Sequence, residues 1–175
     1  MTNYENELKN FVRNIPNFPI EGIQFKDITT VLKDPKGFKL AIDAMMEKLK
    51  GLEFDIIIGP ESRGFIFGTP LAITMGKGFV PARKKGKLPS EVISKTYTLE
   101  YGENTIEIHK DAIKPGQKIV IADDLLATGG TCKAVCELVE SVGAEVVSIV
   151  FFIELLELAG REALKDYNVQ SIIRY

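Results

Sequence analysis

Three short runs of β-branched and other apolar residues constrain this chain most: Phe54-Asp55-Ile56-Ile57-Ile58, Ile119-Val120-Ile121-Ala122 and Val146 to Ile153. A strand with one wet face alternates polar and apolar residues. A nearly unbroken run suits a strand covered on both faces, as in a parallel sheet with helices above and below. Helical patterns lie between the runs. From Lys36 to Lys50, the residues Phe38, Ile42, Met45, Met46 and Leu49 recur at three- and four-residue steps. Gly64 to Met75 and Thr131 to Val142 also read as helices, the second ended by Gly143 as a C-cap. Residues 3–13 read as a helix with Leu8, Phe11 and Val12 on one face, and Gly160 to Asp166 as a short one. Gly78 to Arg83 and Ser171 to Ile173 read as further strands, and Tyr97 to Leu99 with Asn104 to His109 as a small hairpin. Asn14 to Pro19, with two prolines, is expected to be irregular. Lys84 to Ser94, charged and carrying Gly86 and Pro89, is expected to be a loop. Strands alternating with helices imply an α/β fold with a mostly parallel, doubly wound sheet. Ligands of such sheets sit beyond the carboxyl ends of the strands.

The length of 175 residues fits one domain. Lys plus Arg is 22 against 24 Asp plus Glu, a formal charge of −2. That balance argues against a broadly basic nucleic-acid binder. Val146 to Ile153, the longest apolar stretch, contains Ser148 and falls far short of the ~20 residues of a membrane span. The start, Met1 to Glu7, is polar and acidic, unlike a signal or transit peptide. Two cysteines cannot make a disulfide scaffold, so a reduced, cytoplasmic setting is expected. Cys132 and Cys136, four apart on one helix face, read as packing residues. His109 is the only histidine, so any His-based triad or metal site would need it; it reads as a hairpin residue.

The segment Val120 to Thr131 carries the chemistry. An apolar strand ends in Asp123-Asp124, and Leu125-Leu126-Ala127-Thr128-Gly129-Gly130-Thr131 then opens a helix. Gly129 and Gly130 let the backbone approach a phosphate and take positive φ. Thr128 and Thr131 offer hydroxyls, and a helix N-terminus offers free N–H groups. No Gly-Lys-Ser/Thr follows, so this is a phosphate cradle of another kind than a Walker loop. Asp123 and Asp124 point to opposite faces if the strand alternates, so at least one can accept from sugar hydroxyls. Either could also hold Mg²⁺ through water. Gly59-Pro60-Glu61-Ser62-Arg63-Gly64 ends another core strand and opens a helix, a second place for an anion. Arg83, Lys84, Lys85 and Lys87 make either a solvated loop or a lid that closes over a polyanion. Taken alone, Glu100 is a surface carboxylate, and Phe25 is either a stacking platform or a packing residue.

Ala122 to Thr131 resembles the 5-phosphoribosyl-1-pyrophosphate (PRPP) loop of the type I phosphoribosyltransferase family, and its Leu-Leu-Ala-Thr-Gly-Gly-Thr form resembles the adenine-using members. Phe25-Lys26-Asp27-Ile28, Gly64 to Gly68, Arg83 to Pro89 and Tyr97 to Gly102 extend the likeness over nearly the whole chain. The resemblance implies the type I fold, with one domain over residues 1–175, a small N-terminal hood about 1–34 and a mobile lid hairpin about 83–108. The implied reaction belongs to purine salvage: Mg²⁺-dependent transfer of 5-phosphoribosyl from PRPP to N9 of adenine, giving AMP and pyrophosphate. A homodimer is implied as well. Asp123 and Asp124 would hold the ribose, and Ala127, Thr128, Gly129, Gly130 and Thr131 the 5′-phosphate. Glu61, Ser62, Arg63, Arg83, Lys84 and Lys87 would lie on the pyrophosphate side, with a non-proline cis peptide at Glu61–Ser62. Glu100 would be the acid–base residue at N7 of the base, and Phe25, Lys26 and Leu125 would hold adenine. Many relatives carry Arg where Lys26 stands, so a backbone contact there survives and a guanidinium contact does not. Oxopurine enzymes of this fold place a Lys after the fourth strand; Ile153-Glu154-Leu155 has none, which favours adenine. The rival readings are an oxopurine-using enzyme and a PRPP-sensing regulator. A regulator would be expected to add a DNA-binding domain, for which the chain beyond its last strand leaves no room.

Overall fold

The computed structural model describes residues 4–98 and 103–175. The unbroken apolar runs become neighbouring parallel strands: β3 (Ile56–Pro60), β7 (Lys118–Leu126) and β8 (Glu145–Glu154). They form one seven-stranded sheet with β4 (Gly78–Lys84), β5 (Val92–Thr98), β6 (Glu103–His109) and β9 (Val169–Arg174), in the order β5-β6-β4-β3-β7-β8-β9. Only the hairpin β5–β6 and its junction with β4 are antiparallel. A separate two-stranded ribbon, β1 (Arg13–Pro16) with β2 (Gln24–Asp27), lies near the start of the chain. The helices are α1 (Tyr4–Lys9), α2 (Thr29–Leu32), α3 (Pro35–Leu49), α4 (Arg63–Thr74), α5 (Gly130–Ser141) and α6 (Gly160–Ala163). Among the described residues no helix is long and apolar enough to cross a membrane.

The alternation of side chains divides each central strand between two cores. On one side Val120, Ala122, Val150 and Phe152 meet α3 and α4 through Met45, Phe67 and Leu71. On the other, Ile119, Ile121, Ile149 and Phe151 meet α5 through Val135, Cys136 and Val139. The helix after β3 thus covers one face and the helix after β7 covers the other. The crevice between these adjacent strands is where a doubly wound sheet accepts ligands.

Several boundaries differ from the sequence pattern. The first helix stops at Lys9, and Arg13–Pro16 pairs antiparallel with Gln24–Asp27 where irregular chain was expected. Asp27 explains this. Its buried carboxylate accepts from the Arg13 guanidinium at 3.0 Å and from the Thr29 amide at 2.9 Å, tying both strands to α2. Those hydrogen bonds outweigh burial and leave its carboxyl below the usual range. β7 runs on through both acids to Leu126, because β8 pairs with it as far as Glu154 and satisfies its backbone. The expected loop from Lys84 shrinks, since β5 begins at Val92.

Phe67 is fully buried, stacks on Phe152 at a centroid distance of 5.1 Å and meets Phe38 edge-on at 6.2 Å. Phe67→Ala should cost about 3–5 kcal/mol in urea unfolding at fixed pH. A cost below ~1 kcal/mol would mean that α4 does not depend on this aromatic stack.

Candidate active site

A helix leaves its first N–H groups without intrahelical partners. At α3 this is met locally: Asp34 accepts from the Gly37 amide at 2.8 Å, and Pro35 follows it. At α4 and α5 no side chain caps the N-terminus among the described residues. Both helices start directly after the carboxyl ends of adjacent strands, so their bare amides and positive dipole ends border one crevice. The crevice is a cleft of 420 Å³.

Most residues singled out by sequence line this cleft: Glu61, Ser62, Arg63 and Lys84 on one side, and Asp123, Asp124, Leu125 and Ala127 to Thr131 on the other. The Glu61–Ser62 peptide is cis, as expected. Gly129 takes φ +82°, a left-handed value that turns the chain from β7 into α5. Gly130, also expected to need a positive φ, is instead the first residue of the helix.

The carboxylates are held in distinct ways. Asp124 is 5 % exposed and meets Arg63 Nε at 2.7 Å. Asp123 accepts the backbone N–H of Asp124 at 2.8 Å. Burial raises the Asp124 carboxyl, against the pull of Arg63. Burial and the neighbouring Asp124 charge push Asp123 well above the usual carboxylate range. Glu61 accepts from the Lys84 amide at 2.9 Å and from Arg83 Nε at 3.2 Å. Buried Glu107 accepts from the Gly86 amide at 2.9 Å. These two acids fix the basic turn over the cleft. Arg83, near the end of β4, donates to the carbonyl of Lys87 beyond the turn at 3.3 Å, and neither is among the lining residues.

Phe25 and Lys26 are also outside the lining, on β2 of the two-stranded ribbon. Phe25 meets Phe18 edge-on at 5.1 Å. The Lys26 ammonium lies 4.1 Å from the centre of the Tyr175 ring and donates to Asn14 at 3.0 Å, so its charge is engaged away from the cleft. Glu100 lies outside the described residues. Four contacts were not legible in sequence. Leu126, Cys132 and Phe151 contribute to the cleft wall, and the Tyr97 hydroxyl lies 3.0 Å from Thr131 Oγ1. Apolar periodicity marks the first three as packing residues only, and nothing in sequence links a hairpin tyrosine to a threonine 34 positions away.

Comparison with known proteins agrees with this geometry. Residues 27–174 match the family model described as a phosphoribosyl transferase domain. The adenine phosphoribosyltransferase of Acetivibrio thermocellus is 60% identical over 97% of this chain and 99% of its own, and that of Lachnoclostridium phytofermentans is 59% identical over 97% of each. The crystal structure of the Thermoanaerobacter pseudethanolicus enzyme superposes with a TM-score of 0.94 at 54% identity, covering 97% of this chain and 99% of that one. The Saccharomyces cerevisiae enzyme, solved with adenine and an imino-altritol bisphosphate, gives 0.92 at 43% identity over 98% and 99%.

The chain belongs to the type I phosphoribosyltransferases, enzymes built on this mostly parallel sheet. Within that family it stands with the adenine phosphoribosyltransferases, its full-length relatives.

The acid pair has a measurable consequence. A carboxyl whose pKa is raised on folding stabilises the fold below its unfolded value, near 3.8, and loses that contribution as pH rises through the folded value. Asp123→Asn, which cannot ionise, should therefore be more stable than the unaltered protein at pH 8. The difference should vanish below pH ~4. Thermal unfolding across this range checks it, and a variant less stable at pH 8 contradicts it.

Proposed function

We propose that this chain transfers the 5-phosphoribosyl group of PRPP to N9 of adenine and releases AMP and pyrophosphate, a purine-salvage reaction. The observation that carries the proposal is the convergence of two uncapped helix N-termini on one cleft, with Asp123 and Asp124 between them. PRPP has the same arrangement of charge: a 5′-phosphate at one end, a diphosphate at the other and ribose hydroxyls between. In this reading Ala127 to Thr131 hold the 5′-phosphate, and Ser62, Arg63 and Lys84 meet the diphosphate. Asp123 and Asp124 accept from the ribose hydroxyls. Arg83, Lys87 and Glu61 set the basic turn on the diphosphate side. Charge that develops on the leaving diphosphate is met by fixed cations and amides.

Adenine as the base is supported by the names of the full-length relatives and by the adenine bound in the yeast structure. Leu125, in the cleft wall, packs beside the base, while Phe25 stacks and Lys26 reads it through its backbone. Of the carboxylates that line the cleft, Glu61 is tied to Lys84 and Arg83, which leaves Asp123 and Asp124 as the pair that fits Mg²⁺ held through water. When bound with PRPP, Mg²⁺ supplies neutralisation of diphosphate charge. The hood, about 1–34, and the lid, about 83–108, complete a single domain over residues 1–175.

The homodimer implied by the family resemblance would have the exposed Ile66 and Ile73 of α4 available to cover. The buried, unpaired thiols of Cys132 and Cys136 fit a reducing, cytoplasmic setting.

Incubation with PRPP, Mg²⁺ and each of adenine, hypoxanthine, guanine, xanthine and uracil should yield a nucleotide from adenine alone. Turnover of an oxopurine would overturn the base assignment. No turnover of any base, with PRPP still bound, would turn the reading to a PRPP sensor. Glu100, as the group that shares the N7 proton of the base, gives a second test. Glu100→Gln should lower turnover ~10²–10⁴-fold with PRPP affinity little changed. Equal turnover in the two proteins removes Glu100 from the mechanism.

A further inference from the structure

The loop from Ala127 to Gly129 has no hydrogen-bonded ladder of its own, yet it must present amides at fixed positions. Its back rests on the chain entering α6. A Cβ built on Gly160 would lie 2.1 Å from the Ala127 carbonyl oxygen, and one built on Gly129 would lie 2.6 Å from the Gly160 carbonyl oxygen. The two backbones are thus in direct contact from both sides, and only glycine at each position permits it.

A helix of four residues cannot hold itself in place. Arg161, next to Gly160, supplies the anchor. Its Nε and one terminal nitrogen donate to the two oxygens of Glu154 at 2.6 and 2.8 Å, and its other terminal nitrogen donates to the Val169 carbonyl at 3.0 Å. Glu154 is 3 % exposed and also accepts from the Ser171 hydroxyl. It stands directly opposite Leu126 in the β7–β8 register, one residue before the loop. The Leu155 amide donates to the Leu126 carbonyl at 3.0 Å. None of these groups lines the cleft except Leu126.

We propose that Glu154 and Arg161 are a positioning pair for the 5′-phosphate loop, acting through Gly160. The fork of Arg161 fixes α6 against β8 and β9, and α6 in turn fixes Ala127 and Gly129. The pair touches no reacting atom, so its effect falls on ligands that carry a 5′-phosphate and spares those held only at the α4 side. The inference rests on the reading of residues 127–131 as the 5′-phosphate site.

The test uses the full chain and Arg161→Lys, which keeps the charge but loses the planar fork. Dissociation constants are measured for ribose 5-phosphate, AMP and pyrophosphate. Ribose 5-phosphate and AMP should bind about tenfold more weakly, as is common when a supporting contact is lost. Pyrophosphate should stay within about twofold. Unchanged ribose 5-phosphate binding, or an equal loss for all three ligands, overturns the proposal. Hydrogen exchange on the unaltered chain decides the matter if the variant does not fold. Ribose 5-phosphate should slow the amides of 161–164 and pyrophosphate should not; no slowing overturns the proposal. An unaltered chain that binds pyrophosphate but not ribose 5-phosphate overturns the site reading itself, and this proposal with it.

Discussion

Backbone amides at the start of a helix must find acceptors, and much of this molecule follows from where two sets of them are left without one. β3 and β7 are neighbours, and the helices that follow them leave on opposite faces of the sheet. The N-termini of α4 and α5 therefore border the same crevice, at the place where the winding of the sheet reverses. A side-chain cap such as Asp34 on α3 would satisfy either set internally. Its absence at these two helices leaves donors and dipole ends for an anion, at little cost in reorganisation.

The same cleft is lined by the carboxylates of Glu61, Asp123 and Asp124, which would oppose anion binding if they faced it freely. Two have cationic partners. Asp124 is paired with Arg63, and Glu61 holds Lys84 and Arg83. These two acids orient cations and an amide, and their charge is locally compensated. Asp123 differs. Its one hydrogen bond among the described residues is to the next backbone amide, and its carboxyl titrates high. The acceptor capacity left over suits a neutral donor such as a hydroxyl.

The parts legible in sequence were those governed by short-range rules. Unbroken apolar runs marked β3, β7 and β8, and the acids, threonines and glycines between Asp123 and Thr131 marked residues that line the cleft. The basic turn was legible as charge, but its geometry was not. Its shape depends on Glu61 and Glu107, the second of them 21 positions from its Gly86 partner. The β1–β2 ribbon was missed because two prolines and a polar composition argue against a strand, while Asp27 and Arg13 supply the tie from 14 residues apart. The end of β7 was misplaced because the acids look like a terminus, and only the ladder to β8 carries the strand past them. The contact of Gly160 with Ala127 joins segments that share no local pattern.

β7 is both a core strand and a wall of the cleft, to which it brings Asp123 and Asp124. Its side chains alternate with a period of two, so loss or gain of one residue between Lys118 and Leu126 would exchange the faces of Asp123 and Asp124. The same slip would turn Ile119 and Ile121 into the wrong core. Length change is thus opposed in this strand by packing and by the cleft together, whereas the turn ahead of it, residues 110–117, contributes no cleft residue and meets the core through Ala112 and Ile113. Insertions acceptable to such an enzyme should collect in that turn, and a drift in β7 length would mark a chain that has left this chemistry.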